Sequence, residues 1–123
     1  MKKLAIVALF AAYSTFSIHA FAKDARCKIS FSEGVQYNGL CAFTFTDKEG
    51  SFKITNKNKR QPLFDDIYEL ELITLQKNYA LVREIDTIKR GYEHDTKWGH
   101  AIRSLEDRAC WENVDGSFEI CAY

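Results

Sequence analysis

The sequence has one proline (Pro62), only six glycines, no C-x-x-C pair, no glycine-rich phosphate loop and no surplus of either charge. Each shortage removes a class of function. Without a G-x-x-x-x-G-K or G-x-G-x-x-G stretch there is no backbone cradle for a nucleotide phosphate. Without C-x-x-C there is no thioredoxin-like redox pair, and the close cysteine pairs of structural zinc sites are missing too. Seventeen basic residues balance 17 acidic ones, so charge offers no argument for nucleic acid or an anionic membrane surface. Beyond the N-terminus, no apolar run approaches the roughly 20 residues needed to cross a bilayer.

What is present begins with an export signal. Met1-Lys2-Lys3 precedes an apolar run over residues 4–12, then a polar stretch and Ala20-Phe21-Ala22. The run is too short to span a membrane, and alanines at −3 and −1 suit a signal peptidase, so cleavage is expected after Ala22. Residues 23–123 then form a single domain of ordinary small size, in the periplasm. Losing Lys2 and Lys3 leaves 15 basic against 17 acidic residues.

All four cysteines, Cys27, Cys41, Cys110 and Cys121, fall after the leader. An even number in a small exported chain reads as two disulfides. Three connectivities are possible and the sequence excludes none. The pairing Cys27–Cys41 with Cys110–Cys121 is favoured on the turn geometry that follows.

Strand patterns come in pairs separated by turns. Residues 27–31 and 35–40 alternate around Ser32-Glu33-Gly34, and Asn38-Gly39 reads as a bend or bulge. Residues 42–46 and 51–55 flank Asp47-Lys48-Glu49-Gly50, which sets Phe45 opposite Phe52 and Phe43 opposite Ile54. Residues 67–75 and 79–85 form the most apolar hairpin, with Ile73 facing Leu81 and Glu71 facing Arg83. At the C-terminal end, Asp115-Gly116 signals a two-residue hairpin turn. It places Asn113 opposite Phe118, Trp111 opposite Ile120 and Cys110 opposite Cys121, the last at a hydrogen-bonded site. Residues 98–104 are open between strand and helical lead-in, and Ser104 could cap a short helix through Ala109. The expected fold is all-β or mainly β: a small antiparallel sheet or sandwich of hairpins with two disulfides and room for one short helix.

Cys27-x-Ile29, Tyr37-x-Gly39-x-Cys41-x-Phe43, Gly50-Ser51-Phe52-x-Ile54, Ala109-Cys110-Trp111 and Ile120-Cys121-Ala122 together make a frame. It resembles small, uncharacterised exported proteins of proteobacteria with a C…Y-x-G-x-C…G-S-F-x-I…A-C-W…I-C-A pattern. The frame consists of cysteines, turn glycines and core aromatics, so the resemblance implies a fold and disulfides, with no activity attached. In size, export and compact β character the chain is also similar to periplasmic immunity proteins of type VI secretion systems.

Catalytic residue sets are thin. His94, Asp95 and His100 could donate metal ligands, but read as exposed loop polar groups. Ser104, His100 and Asp107 supply the types of a hydrolase triad without a nucleophile turn or oxyanion motif. Asp65-Asp66 is a carboxylate pair of the kind usually just solvated. No enzyme activity, metal or cofactor is therefore expected. What remains is a rigid scaffold with two decorated connections, residues 56–66 and 86–98. Arg90, Tyr92, Glu93, His94, Lys97 and Trp98 in the second, with Arg60 and Phe64 in the first, are the candidate partner-binding residues. Arg, Tyr and Trp combine contact area with directed hydrogen bonds. The expected partner is a protein, a cell-wall-hydrolysing toxin above all; the alternatives are a small exported enzyme whose site no motif marks, and an envelope structural or ligand-binding module. For Trp98 the competing role is core packing.

Overall fold

The computed structural model describes residues 22–86 and 94–123. The expected leader, residues 1–22, lies outside them apart from Ala22. Eight strands follow one another: β1 (Lys23–Phe31), β2 (Gly34–Phe45), β3 (Phe52–Asn56), β4 (Glu69–Gln76), β5 (Tyr79–Asp86), β6 (His94–Arg103), β7 (Cys110–Asn113) and β8 (Phe118–Ala122). Each pairs antiparallel with the next, and β8 returns to β1, so the sheet closes into an up-and-down barrel. Closure leaves no strand edge to cover. The short helix left open around residues 105–109 is absent: residues 104–109 form turns, with the Ser104 hydroxyl accepting the amides of Glu106 and Asp107.

Three registers follow the sequence reading. Phe45 pairs with Phe52 and Phe43 with Ile54. Ile73 pairs with Leu81 and Glu71 with Arg83, and the last pair is closed by a 3.1 Å ion pair. Trp111 pairs with Ile120 and Cys110 with Cys121. Asp47 ties the β2–β3 turn, its Oδ1 accepting the amides of Glu49 and Ser51 at 2.9 and 3.0 Å.

Two local expectations change. Residues 35–40 and 42–45 belong to one twelve-residue strand, β2, and Thr46 falls outside it. Its irregularity lies where Ile29 pairs with Tyr37 and Ser30 with Val35, leaving Gln36 extra. Gly39 pairs regularly with Cys27 instead. The β7–β8 connection also takes four residues, 114–117, rather than two. Gly116 donates to the Asn113 carbonyl at 3.0 Å with a φ of 80°. The longer turn moves the hydrogen-bonding phase of the ladder by one position. Cys110 and Cys121 therefore occupy a non-hydrogen-bonded site, flanked by the bond from Ala122 N to Ala109 O, where cross-strand side chains approach most closely.

Alternation sends Ile29, Ile54, Leu70, Leu72, Val82 and Ile120 inward, all at most 2% exposed. Ala25, Ala80 and Ala101 keep room for them. An eight-stranded barrel either fills with side chains or holds one small ligand; this interior is filled.

Both expected disulfides form, with no free cysteine. Cys27–Cys41 lies among the inward-facing side chains, both residues fully buried. Cys110 and Cys121 alternate with Trp111 and Ile120 and so face outward. They are nonetheless buried, next to Glu119 and the Tyr123 hydroxyl. Two disulfides in a chain of this size fit an oxidising environment outside the cytoplasm.

Candidate functional site

An up-and-down barrel places alternate connections at the same end. The β1–β2, β3–β4, β5–β6 and β7–β8 connections share one end, called the loop end here. The start of β1, the end of β8 and the β2–β3, β4–β5 and β6–β7 turns share the other. Both candidate connections therefore join strands at the loop end, which the sequence did not reveal, although residues 57–59 of the first lie on the flank beside Asp24, Ala22 and Thr44.

Four aromatics close that end from inside: Phe31, Phe64, Trp98 and Phe118. The ring centroids of Phe31 lie 5.6 Å from Phe64 and 5.3 Å from Trp98, and Trp98 lies 5.6 Å from Phe118. Trp98 reaches them through a bulge. Val82 pairs with Gly99 and Arg83 with Lys97, so Trp98 has no partner in the β5–β6 ladder. Gly99 beside it sits at φ 125°, and a β-carbon there would lie 3.1 Å from Asn113 Nδ2. That amide donates to the His100 carbonyl at 2.8 Å. Bulges re-aim side chains, and this one turns an indole that strand alternation would send outward onto the core.

Two candidate interface residues pack inward. Trp98 packs against the core, with its Nε1 directed to Glu84 at 3.5 Å. Phe64, 9% exposed, is a plug rather than a loop-tip anchor. It is held by the turn at Asp65 and Asp66, where Leu63 N bonds Ile67 O and Ile67 N bonds Phe64 O. Arg60 is exposed in the same connection. Its amide bonds Asn58 Oδ1, while Asn58's own amide bonds Asn56 Oδ1. The connection drapes over the barrel flank before Phe64 enters, since Lys57 pairs with Asp24 at 3.2 Å. Lys59 lines a surface groove of about 220 Å³ with Ala22, Thr44, Thr55 and Tyr68. Lys97 is exposed on β6. The backbone of His94 pairs with Asp86, but its side chain, and Arg90, Tyr92 and Glu93, lie outside the described residues.

The triad residues are engaged separately. The Ser104 hydroxyl caps its turn. The His100 ring stacks on Tyr79 on the outer wall, centroids 5.3 Å apart. Asp107 accepts the Tyr123 hydroxyl at 2.7 Å and the Ala109 amide at 3.0 Å. The grouping of Cys110, Glu119 and Cys121 has both sulfurs committed to each other, so it offers no thiolate to a metal.

The Asp107–Tyr123 contact gives a pH signature. The tyrosine hydroxyl first, then the Ala109 amide, hold the Asp107 carboxyl below its ordinary 3.8. The same hydrogen bond, aided by partial desolvation, raises the Tyr123 phenol above 10.0. A depressed carboxyl contributes stability that is lost as pH falls through its folded value. A raised phenol contributes stability that is lost as pH rises through its own. The contact therefore holds between these two limits. In an NMR titration Asp107 should titrate below 3.8 and return towards it in Tyr123→Phe. An unchanged midpoint in that variant would show that the contact does not form in solution.

At the end opposite the loops, aromatics and cations meet in a way that sequence reading missed. The Arg103 guanidinium lies 4.7 Å from the Trp111 ring centroid. Lys23 Nζ lies 5.2 Å from the Phe43 ring and 5.6 Å from that of Phe45. Nothing in the sequence signalled the Arg103–Trp111 pair, because it depends on the β6–β7 register. Comparison of the chain with protein-family models, curated proteins and solved structures gave no match.

Proposed function

We propose that this is a periplasmic protein that binds and inhibits another protein, and that it serves as an immunity protein against a toxin that hydrolyses the cell wall. The observation that carries the reading is the shared loop end of a closed, internally filled barrel. A filled interior argues against a carrier that encloses its ligand. A rigid body with two polar connections at one end suits insertion into an enzyme cleft. Glycoside hydrolases that cleave sugar polymers work through paired carboxylates, and a guanidinium meets a carboxylate with two parallel hydrogen bonds. Exposed Arg60 supplies that group from one connection, and Arg90 in the sequence of the other supplies a second.

The test begins with capture of a partner by residues 23–123 from secreted and whole-cell extracts. Hydrolysis of purified peptidoglycan by the captured enzyme is then measured at a fixed ratio of the two proteins. Arg90→Ala and Arg60→Ala should each weaken inhibition, the stronger contact by about thirtyfold, with thermal stability near wild type. Trp98 and Phe64 are unsuitable for this test, because their loss opens the aromatic plug. If the captured enzyme is inhibited equally by wild type and by the double variant, the loop end is not the inhibitory face. If no hydrolase is inhibited at all, the immunity role falls.

A further inference from the structure

We propose that the barrel mouth opposite the loops is a second binding site, one that takes the free C-terminal carboxylate of a peptide ending in an apolar residue. The site is independent of the inhibitory face.

Its floor is aromatic. Phe43 stacks on Phe52 with centroids 4.6 Å apart and meets Phe45 edge-on at 4.9 Å. With Trp111 these rings line a hollow of about 150 Å³, room for about one side chain. Phe45 remains 51% exposed at its rim. A smaller hollow, lined by Lys23, Ala25 and Tyr123, shares Phe43, Phe45 and Ala122 with the first. The two form a groove, which fits a length of chain better than a compact ion.

Its cations are arranged for an anion. Arg103 and Arg108 line the larger hollow and Lys23 the smaller. Among the described residues none of the three is in an ion pair. Arg103 Nε is buried and has no hydrogen-bond partner, although buried guanidinium donors are normally satisfied. Of the carboxylates at this end, Asp47 is held by its turn amides and Asp107 by Tyr123 and Ala109, while Glu49 and Glu106 are exposed on their turns and line neither hollow. An incoming carboxylate would thus meet these cationic groups without displacing an ion-pair partner. Its apolar side chain would cover the exposed face of Phe45. Capture of a C-terminal carboxylate is an established mode of peptide recognition. An anionic lipid surface, which is broad, is the less suitable occupant, because the β2–β3 and β6–β7 turns at the same end carry the exposed acids Asp47, Glu49, Glu106 and Asp107.

The probe is the tripeptide Gly-Gly-Phe, as free acid and as C-terminal amide, titrated calorimetrically into the protein. The acid should bind, and the amide about tenfold more weakly or not at all. Arg108→Gln, at an exposed turn position, should weaken the acid about fivefold or more without lowering the melting temperature. Arg103→Gln should do the same, and Arg108→Gln keeps the test decisive if that variant is unstable. Arg60→Ala should bind the acid like wild type, which separates this site from the inhibitory one. Equal binding of acid and amide, no binding of either, or unchanged binding in Arg108→Gln would overturn the proposal. So would retention on vesicles containing phosphatidylglycerol combined with indifference to the peptide.

Discussion

Phe52→Ala should cost about 3–5 kcal/mol, the usual range for emptying a buried aromatic site, whereas Phe45→Ala should cost less than half as much. The two residues pair directly across β2 and β3 and look equivalent in sequence. Phe52 is 6% exposed and Phe45 51%. Phe52 stacks face to face on Phe43, and removing it leaves a void that the closed sheet cannot collapse into. About half of Phe45 already lies in water at the barrel mouth, so less apolar area is lost. For a domain of this size the Phe52 loss lowers the melting temperature by roughly 15 °C or more. Urea titrations of the two variants decide the matter. Equal losses would mean that the mouth is closed in solution.

The second large effect is loss of the interior disulfide. Replacing Cys27 and Cys41 together by alanine should cost about 3 kcal/mol from the freed unfolded chain alone, in the chain-entropy account. The sequence separation is 14 residues. The true loss should be somewhat larger, because both sulfurs are fully buried and their removal leaves space in the core. The bridge also joins residues that do not stand directly opposite: Cys27 pairs with Gly39 and Cys41 with Ala25, so it runs diagonally across the pair. The double alanine variant at Cys110 and Cys121, with a separation of 11, should lose about the same entropic amount without opening the interior. Denaturant unfolding of both variants tests the ordering. A loss below about 1 kcal/mol for the Cys27–Cys41 variant would show that the barrel holds without this brace.

Local chemistry made much of this molecule readable in advance. Alternation in residues 27–31, 42–46 and 51–55 marks strands because side chains repeat every second residue. Asp47 with Gly50, and Asp115 with Gly116, mark turns because they stabilise tight backbone or tolerate positive φ. Those two facts set the register of the hairpins, and the register brings Cys110 to Cys121. Phe43 opposite Ile54 and Glu71 opposite Arg83 follow from counting. The candidate site was legible only as two polar connections rich in Arg and aromatic residues.

Everything that required more than one hairpin was decided by tertiary structure. Pairing of β8 with β1 is a contact between the first and last strands, and no local pattern encodes it. Closure in turn decides that both candidate connections share an end and that the interior is filled. Trp98 shows the limit most clearly. Its sequence surroundings are polar and charged, as at an exposed loop. An unpaired position in the β5–β6 ladder, with Gly99 at positive φ beside Asn113, turns it inward. Bulges form where neighbouring strands must be matched around a barrel, so their positions depend on partners distant in sequence. Phe64 is buried for the same kind of reason: its connection folds back over a core that exists only once the barrel has closed. Arg103 comes to lie on Trp111 because β6 and β7 pair. The cationic, aromatic mouth is thus a product of closure, assembled from residues that are ordinary where they stand in the chain.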